Sequence, residues 1–325
     1  MDSQTAPTFT RILIPLDGSA LADQSLPYAR AIGGPNAEYV LMYAVPPLKA
    51  EREWFWGPVY ATVDEVQARA KAGAREGMLR AAERWLGERP RFSLEIVDGE
   101  PAEAILYVAE RRGIDLVVLA SHGRGTTGRL VFGSVADRIA HHSPVPVLVV
   151  RPRDAVVALE PARVKRVLVP LDGSTLAGRA LPIATALARD LNVSVALVLA
   201  IDEEERIAPY PGAYAPAPDR IQEGVAAASE LLAETAAELR DAGVQTTTAI
   251  HVGRAFDTIA DAARDGDVVV MASHGRGGIR RWMLGSVAEK LVRSGPVPVM
   301  IVPVGHRAAT PVMTPEADPL FATSG

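Results

Sequence analysis

The chain has 325 residues, of which 48% are hydrophobic, a formal net charge of −5 and no cysteine. This length and apolar content supply two ordinary cores, and the lack of cysteine excludes disulfides, thiolate metal sites, iron–sulfur clusters and a cysteine nucleophile. Lysine and arginine are scattered, so nothing marks an electrostatic footprint for nucleic acid.

The N-terminal stretch lacks the basic, apolar and small-residue succession of a signal peptide. No apolar run approaches the roughly eighteen residues needed to cross a bilayer. A soluble, cytoplasmic protein with no membrane span is expected. A first strand over 11–16 ends in the turn Pro15-Leu16-Asp17-Gly18-Ser19. A helical pattern near 20–33 follows, with Pro27 inside it, where a kink is expected. A second strand over 39–45 leads to a loop holding Trp54, Phe55 and Trp56, for which packing is the commonest role. Helices near 64–88 and 101–112 flank a third strand over 92–97, and a fourth over 115–120 is rich in valine and leucine. Then comes ASHGRGTTGRLVFGSVAD (120–137), a helix near 132–142 and a fifth strand over 145–150.

The pattern then repeats. Residues 11–32 match 166–187 at 13 of 22 positions, and 117–150 match 269–302 at 18 of 34. The second copy places its strands at 166–171, 194–201, 246–252, 267–272 and 298–302, with Pro182 in the place of Pro27. The two units span 9–151 and 164–304, joined by a charged linker, and the tail after Pro303 is polar. Strands apolar on both faces, alternating with amphipathic helices, indicate an α/β fold of two tandem doubly wound parallel five-stranded sheets in the order 3-2-1-4-5. The last strand of each copy would be an exposed apolar edge, so the two are expected to pair.

The unusual residues fall at strand ends. PLDGS closes strand one and ASHG closes strand four, neighbours where the winding reverses and where ligands bind in such sheets. Taken alone, Asp-Gly-Ser is a turn leading into a helix. With Gly123, which lets backbone N–H groups approach a ligand, and Gly133-Ser134, which opens a helix, it frames a cradle for phosphates. Ser134 is expected both to donate to a phosphate and to cap its helix. Arg124 and Arg276 are read as surface residues. His122 and His274 are read as structural, because no serine or carboxylate completes a triad around them. Gly123, Gly125 and Gly128 spell the dinucleotide pattern, but after strand four rather than strand one, and Arg280 stands at the third position in the second copy. No P-loop lysine motif occurs.

A strand ending in P-x-D-G-S, a later G-x-x-G-x9-G-[ST] segment and a closing V-P-V strand resemble the universal stress protein family, here as a tandem of two adenine nucleotide alpha hydrolase-like domains. The resemblance runs from about Arg11 to Pro303. It implies ATP as ligand, with Mg²⁺ or Mn²⁺ bound through the phosphates. It implies Pro15, Asp17, Ala44, Ala120, Gly123, Gly133, Ser134 and Val135 as site residues in the first copy. In the second it implies Pro170, Asp172, Ala200, Ala272, Gly275, Gly285, Ser286 and Val287. Ala120 and Ala272 depart from the motif, whose first residue is glycine; alanine serves there if the backbone keeps a negative φ. The aspartates would accept hydrogen bonds from ribose or adenine. The implied partners are an adenine nucleotide, a second copy of the chain and an unidentified regulatory protein. A regulator of stress or dormancy adaptation is expected rather than an enzyme. The alternatives are a slow ATPase or a phosphoryl- or nucleotidyl-transferring enzyme on the same fold, and an interaction module that binds no nucleotide.

Overall fold

The computed structural model describes residues 8–34, 36–47, 62–87, 90–121, 133–152, 162–201, 218–273 and 284–303. In the first copy the strands are β1 (Arg11–Pro15), β2 (Glu38–Val45), β3 (Arg91–Asp98), β4 (Leu116–Ala120) and β5 (Val147–Val150). The helices are α1 (Ser25–Gly33), α2 (Val63–Trp85), α3 (Pro101–Arg111) and α4 (Ser134–His142). The second copy supplies β6 (Arg166–Leu171), β7 (Ser194–Ile201), β8 (Thr246–Val252), β9 (Asp267–Ala272) and β10 (Val299–Val302). Its helices are α5 (Leu181–Leu191), α6 (Pro218–Asp241), α7 (Ala255–Ala262) and α8 (Ser286–Ser294).

Each copy has the order expected, and the two five-stranded sheets fuse into one of ten strands, β3-β2-β1-β4-β5-β10-β9-β6-β7-β8. Within a copy every pairing is parallel, while β5 and β10 pair antiparallel, Val147 with Ile301, Leu148 with Met300 and Val149 with Val299. The closing V-P-V-hydrophobic strands therefore join the halves. Alternate side chains of the continuous sheet feed two layers. Ile12, Leu148, Val167 and Met300 pack under α1, α2, α5 and α6. Leu13, Val149, Leu168 and Val299 pack under α3, α4, α7 and α8.

The prolines expected inside the first helices fall in the first turns of α1 and α5. In the first copy a 3-10 turn, Ala22–Gln24, precedes α1, and in the second Ala177–Ala180 precedes α5. Pro27 is the third residue of α1 and Pro182 the second of α5. The missing N–H thus falls among first-turn groups that have no intrahelical acceptor in any helix, so the proline costs no bond.

Candidate functional site

The crevice of the first copy is built from the carboxyl ends of β1 and β4. Strand β1 lies between β2 on one side and β4 on the other, so the winding reverses between β1 and β4. After Pro15, the Leu16 N–H still donates to Met42 at 2.8 Å, holding the exit of β1 against β2. Gly18 then takes φ 76°, which folds the chain sharply and brings Asp17 over its own turn. Asp17 Oδ1 accepts from the Ser19 N–H at 2.9 Å and from Ser19 Oγ at 2.6 Å. Ser19 Oγ in turn accepts from the Ala22 N–H at 3.2 Å, which starts the 3-10 turn. The second copy repeats this: Gly173 has φ 79°, Asp172 Oδ1 accepts from Ser174 N–H at 2.8 Å, and Ser174 Oγ accepts from Ala177 N–H at 3.1 Å.

The other wall is the exit of β4. Ala120 is its last residue, and the buried Ser121 donates its N–H to Val150 at 2.8 Å. The Ser121 carbonyl then accepts from the Gly133 N–H at 2.9 Å, so the intervening loop leaves and returns at one point beside α4. In the second copy Ser273 donates to Val302 at 2.9 Å and accepts from the Gly285 N–H at 2.8 Å. Gly123, His122 and Arg124 lie outside the described residues, as do Gly275, His274 and Arg276 and the Trp54–Trp56 cluster.

Gly133 is the N-cap of α4 (φ −67°, ψ 138°) and Gly285 that of α8 (φ −61°, ψ 148°); neither helix has a side-chain cap. Ser134 and Ser286 are the first helical residues, so they do not cap, contrary to the expectation: a cap needs its side chain one position earlier, outside the helical backbone. The first intrahelical bonds are Asp137 N–H to Gly133 and Glu289 N–H to Gly285. The N–H groups of residues 134–136 and 286–288 precede them and, with the helix dipole, make each end favourable to an anion. Ser134 and Ser286 are exposed, and Val135 and Val287 are half-buried beside them.

Ala44 in β2 stands opposite Val97, and Ala200 in β7 opposite His251; both are half-buried near the carboxyl ends of their strands. Pro15 and Pro170 pair with Met42 and Val198 at the same edge. The motif alanines raise no steric difficulty. Ala120 and Ala272 close regular strands, and among the described non-glycine residues a positive φ occurs at Asn192. One asymmetry escaped sequence reading. In the first copy Asp23, half-buried beside the turn, has its carboxyl pushed above the usual range by burial and then by the Asp17 charge, with Arg84 opposing. The second copy has Gly178 in that place. Ser19 and Ser174, the partners of the aspartates, stand in the expected turns but not among the expected site residues, and the same holds for Ser121 and Ser273 at the ends of β4 and β9. Their recurrence in both copies was the available signal.

Because β5 and β10 run antiparallel, the carboxyl ends of the first copy's strands lie at the opposite edge of the sheet from those of the second. The two crevices therefore open in opposite directions. No group of three or more metal-binding side chains occurs among the described residues, nor does any described helix have the length and apolar character to cross a membrane.

Comparison with known proteins accounts for the repeat. The model of the "Universal stress protein family" matches residues 8–151 and again 163–303. A universal stress protein of Mycolicibacterium smegmatis is 29% identical over 295 residues, covering 90% of this chain and 96% of the relative. One from Thermus aquaticus is 30% identical over 144 residues, 44% of this chain and 99% of its own. Among solved structures, a universal stress protein from Archaeoglobus fulgidus covers 91% of this chain and 97% of its own with a TM-score of 0.58 at 20% identity, a likeness of fold. With both halves matched, the chain belongs to the universal stress protein family.

Proposed function

We propose that the chain binds two molecules of ATP, one in each crevice, and acts in stress adaptation as a regulator rather than as a metabolic enzyme. The observation that carries this reading is that both copies bring an Asp-Gly-Ser turn and an uncapped helix N-terminus to the reversal point of the sheet. Each part suits a different portion of the nucleotide. A carboxylate accepts from several donors at once, so holding the Ser19 turn is compatible with Asp17 also accepting a ribose hydroxyl or the adenine amine. Small side chains at Ala44 and Ala200 leave space for a flat base over the ends of β2 and β7. The N–H groups that open α4 and α8, with the hydroxyls of Ser134 and Ser286, suit phosphate oxygens, and the loops holding Gly123 and Gly275 would complete the cradle. Mg²⁺ or Mn²⁺ would arrive on the phosphates.

Membership of the universal stress protein family supports regulation over turnover. Mass spectrometry of ligand released from purified protein, followed by titration of the emptied protein with ATP, tests the reading. Adenine nucleotide at two equivalents per chain is expected. Its absence, with no heat of binding, overturns the reading in favour of an interaction module. Multiple turnover near about 10 per second would make the protein an enzyme.

A further inference from the structure

The ten-stranded sheet ends in two edges of different character. At β3 the edge carries Arg91, Glu95 and Asp98, and ion pairs clamp it: Glu95 to Arg111 at 2.8 Å and to Arg112 at 3.0 Å, Asp98 to Lys71 at 2.7 Å. Charges of this kind guard an edge against pairing. At β8 the edge reads Thr-Thr-Thr-Ala-Ile-His-Val, without a single Asp, Glu, Lys or Arg, and Val252 is 45% exposed.

The hydrogen-bond phase of β8 is fixed by its bonds to β7. Val195 donates to Gln245 and Gly253 donates to Ile201, at 2.8 and 2.9 Å. Odd-numbered residues from 245 to 253 therefore direct their backbone groups to β7, while Thr246, Thr248, Ile250 and Val252 direct theirs outward. We infer that β8 pairs antiparallel with β8 of a second copy about a twofold axis at Ala249, extending the sheet across a homodimer. That register sets Thr246 opposite Val252 and Thr248 opposite Ile250, each pair exchanging both backbone bonds. Thr247 faces His251, and Ala249 faces itself in a non-hydrogen-bonded pair. The Thr246–Val252 and Thr248–Ile250 pairs are β-branched on both sides, of a kind that stabilises sheets, and no like charges are opposed. Arg240 donates to the outward Thr246 carbonyl at 3.5 Å, an exposed bond that the strand pairing has to replace. The antiparallel junction of β5 and β10 already shows this fold continuing its sheet through a strand of the other copy. The inference stands independently of nucleotide binding.

A chain without cysteine makes the register directly testable. Sedimentation of the full chain should give twice the 34.5 kDa mass at micromolar concentration, falling to the single mass on dilution. Under mild oxidation Ala249→Cys should form an interchain disulfide, since a non-hydrogen-bonded pair sits within disulfide reach. Thr247→Cys should not. Thr248→Pro removes an outward donor while sparing every bond to β7, and should weaken the dimer by about tenfold with secondary structure unchanged. A single mass at all concentrations overturns the inference. So does a dimer that survives Thr248→Pro undiminished, or one that cross-links through Thr247→Cys and not through Ala249→Cys.

Discussion

Asp115 and Asp267 occupy equivalent places at the amino ends of β4 and β9, yet they are held by different partners. Asp267, 3% exposed, receives Arg166 through both carboxylate oxygens, at 3.0 and 2.5 Å, with the Arg264 N–H at 2.8 Å. Asp115 instead accepts the N–H and hydroxyl of Thr10, at 2.7 and 2.8 Å, and the Arg11 N–H. Arg11, the counterpart of Arg166, has turned its side chain to Glu38. The same tie between the first and fourth strands is thus made with a buried ion pair in one copy and neutral donors in the other.

Unequal costs of substitution follow. Arg166→Met should destabilise by about 3–5 kcal/mol, because it strands a buried carboxylate. Arg11→Met should cost under about 1 kcal/mol, since the Arg11–Glu38 pair is part-exposed and screened. Urea midpoints of the two variants check this, and equal shifts would contradict the burial argument.

Asp23 gives a pH dependence of the opposite kind to a salt-bridged carboxylate. Its folded-state pKa is raised, so the native state holds the proton more tightly than the unfolded chain. Stability from this group is present at low pH and is lost as pH rises from about 3.8 through the raised folded value. Asp23→Asn should therefore stabilise the protein at neutral pH and make no difference near pH 3. Thermal melts of both proteins from pH 3 to 7 test the sign, and a variant less stable at pH 7 would show that Asp23 is held by a favourable partner instead.

The junction of the halves gives a third expectation. Met300 is fully buried opposite Leu148, in the layer that both copies share. Met300→Ala should cost about 2–5 kcal/mol, and it should lower the unfolding midpoint of probes in the first copy as well as the second. A shift confined to the second copy would mean that the halves unfold separately.

The repeat, the element order and the pairing of the last strands were legible in the sequence because each rests on short-range pattern: apolar runs, recurring glycines and a duplicated edge. Boundaries were less so. Strands expected to open at 145 and 298 begin at Val147 and Val299, because Pro146 and Pro298 have no N–H for the ladder, although their carbonyls still accept from Val117 and Val269. The 3-10 turns before α1 and α5 were hidden in a helix-like pattern, since one apolar period reads both. In the candidate site, the placement of Asp17 and Asp172 could be read from Asp-Gly-Ser. The division of labour could not: closure of the loop by the Ser121 and Ser273 carbonyls is a backbone event with no side-chain signature, and Asp23 beside Asp17 is a proximity created by the 3-10 turn.

The first helical residues, Ser134 and Ser286, allow binding and folding to be separated. Ser134→Glu places an anion at the start of α4, which the helix dipole favours by about 0.3–1 kcal/mol, so the fold should be kept or slightly stabilised. The same carboxylate would meet the phosphates. At about 4 Å, with an effective dielectric constant near 20, two like charges repel by roughly 4 kcal/mol, close to a thousandfold in affinity. Titration with ATP should therefore fall from two equivalents to one in Ser134→Glu and in Ser286→Glu, and to none in the double variant, with circular dichroism unchanged. Because the crevices open at opposite edges of the sheet, the remaining site in each single variant should keep its affinity, and a large change there would reveal coupling between the halves. Two full equivalents in folded Ser134→Glu would refute the placement of phosphates at α4.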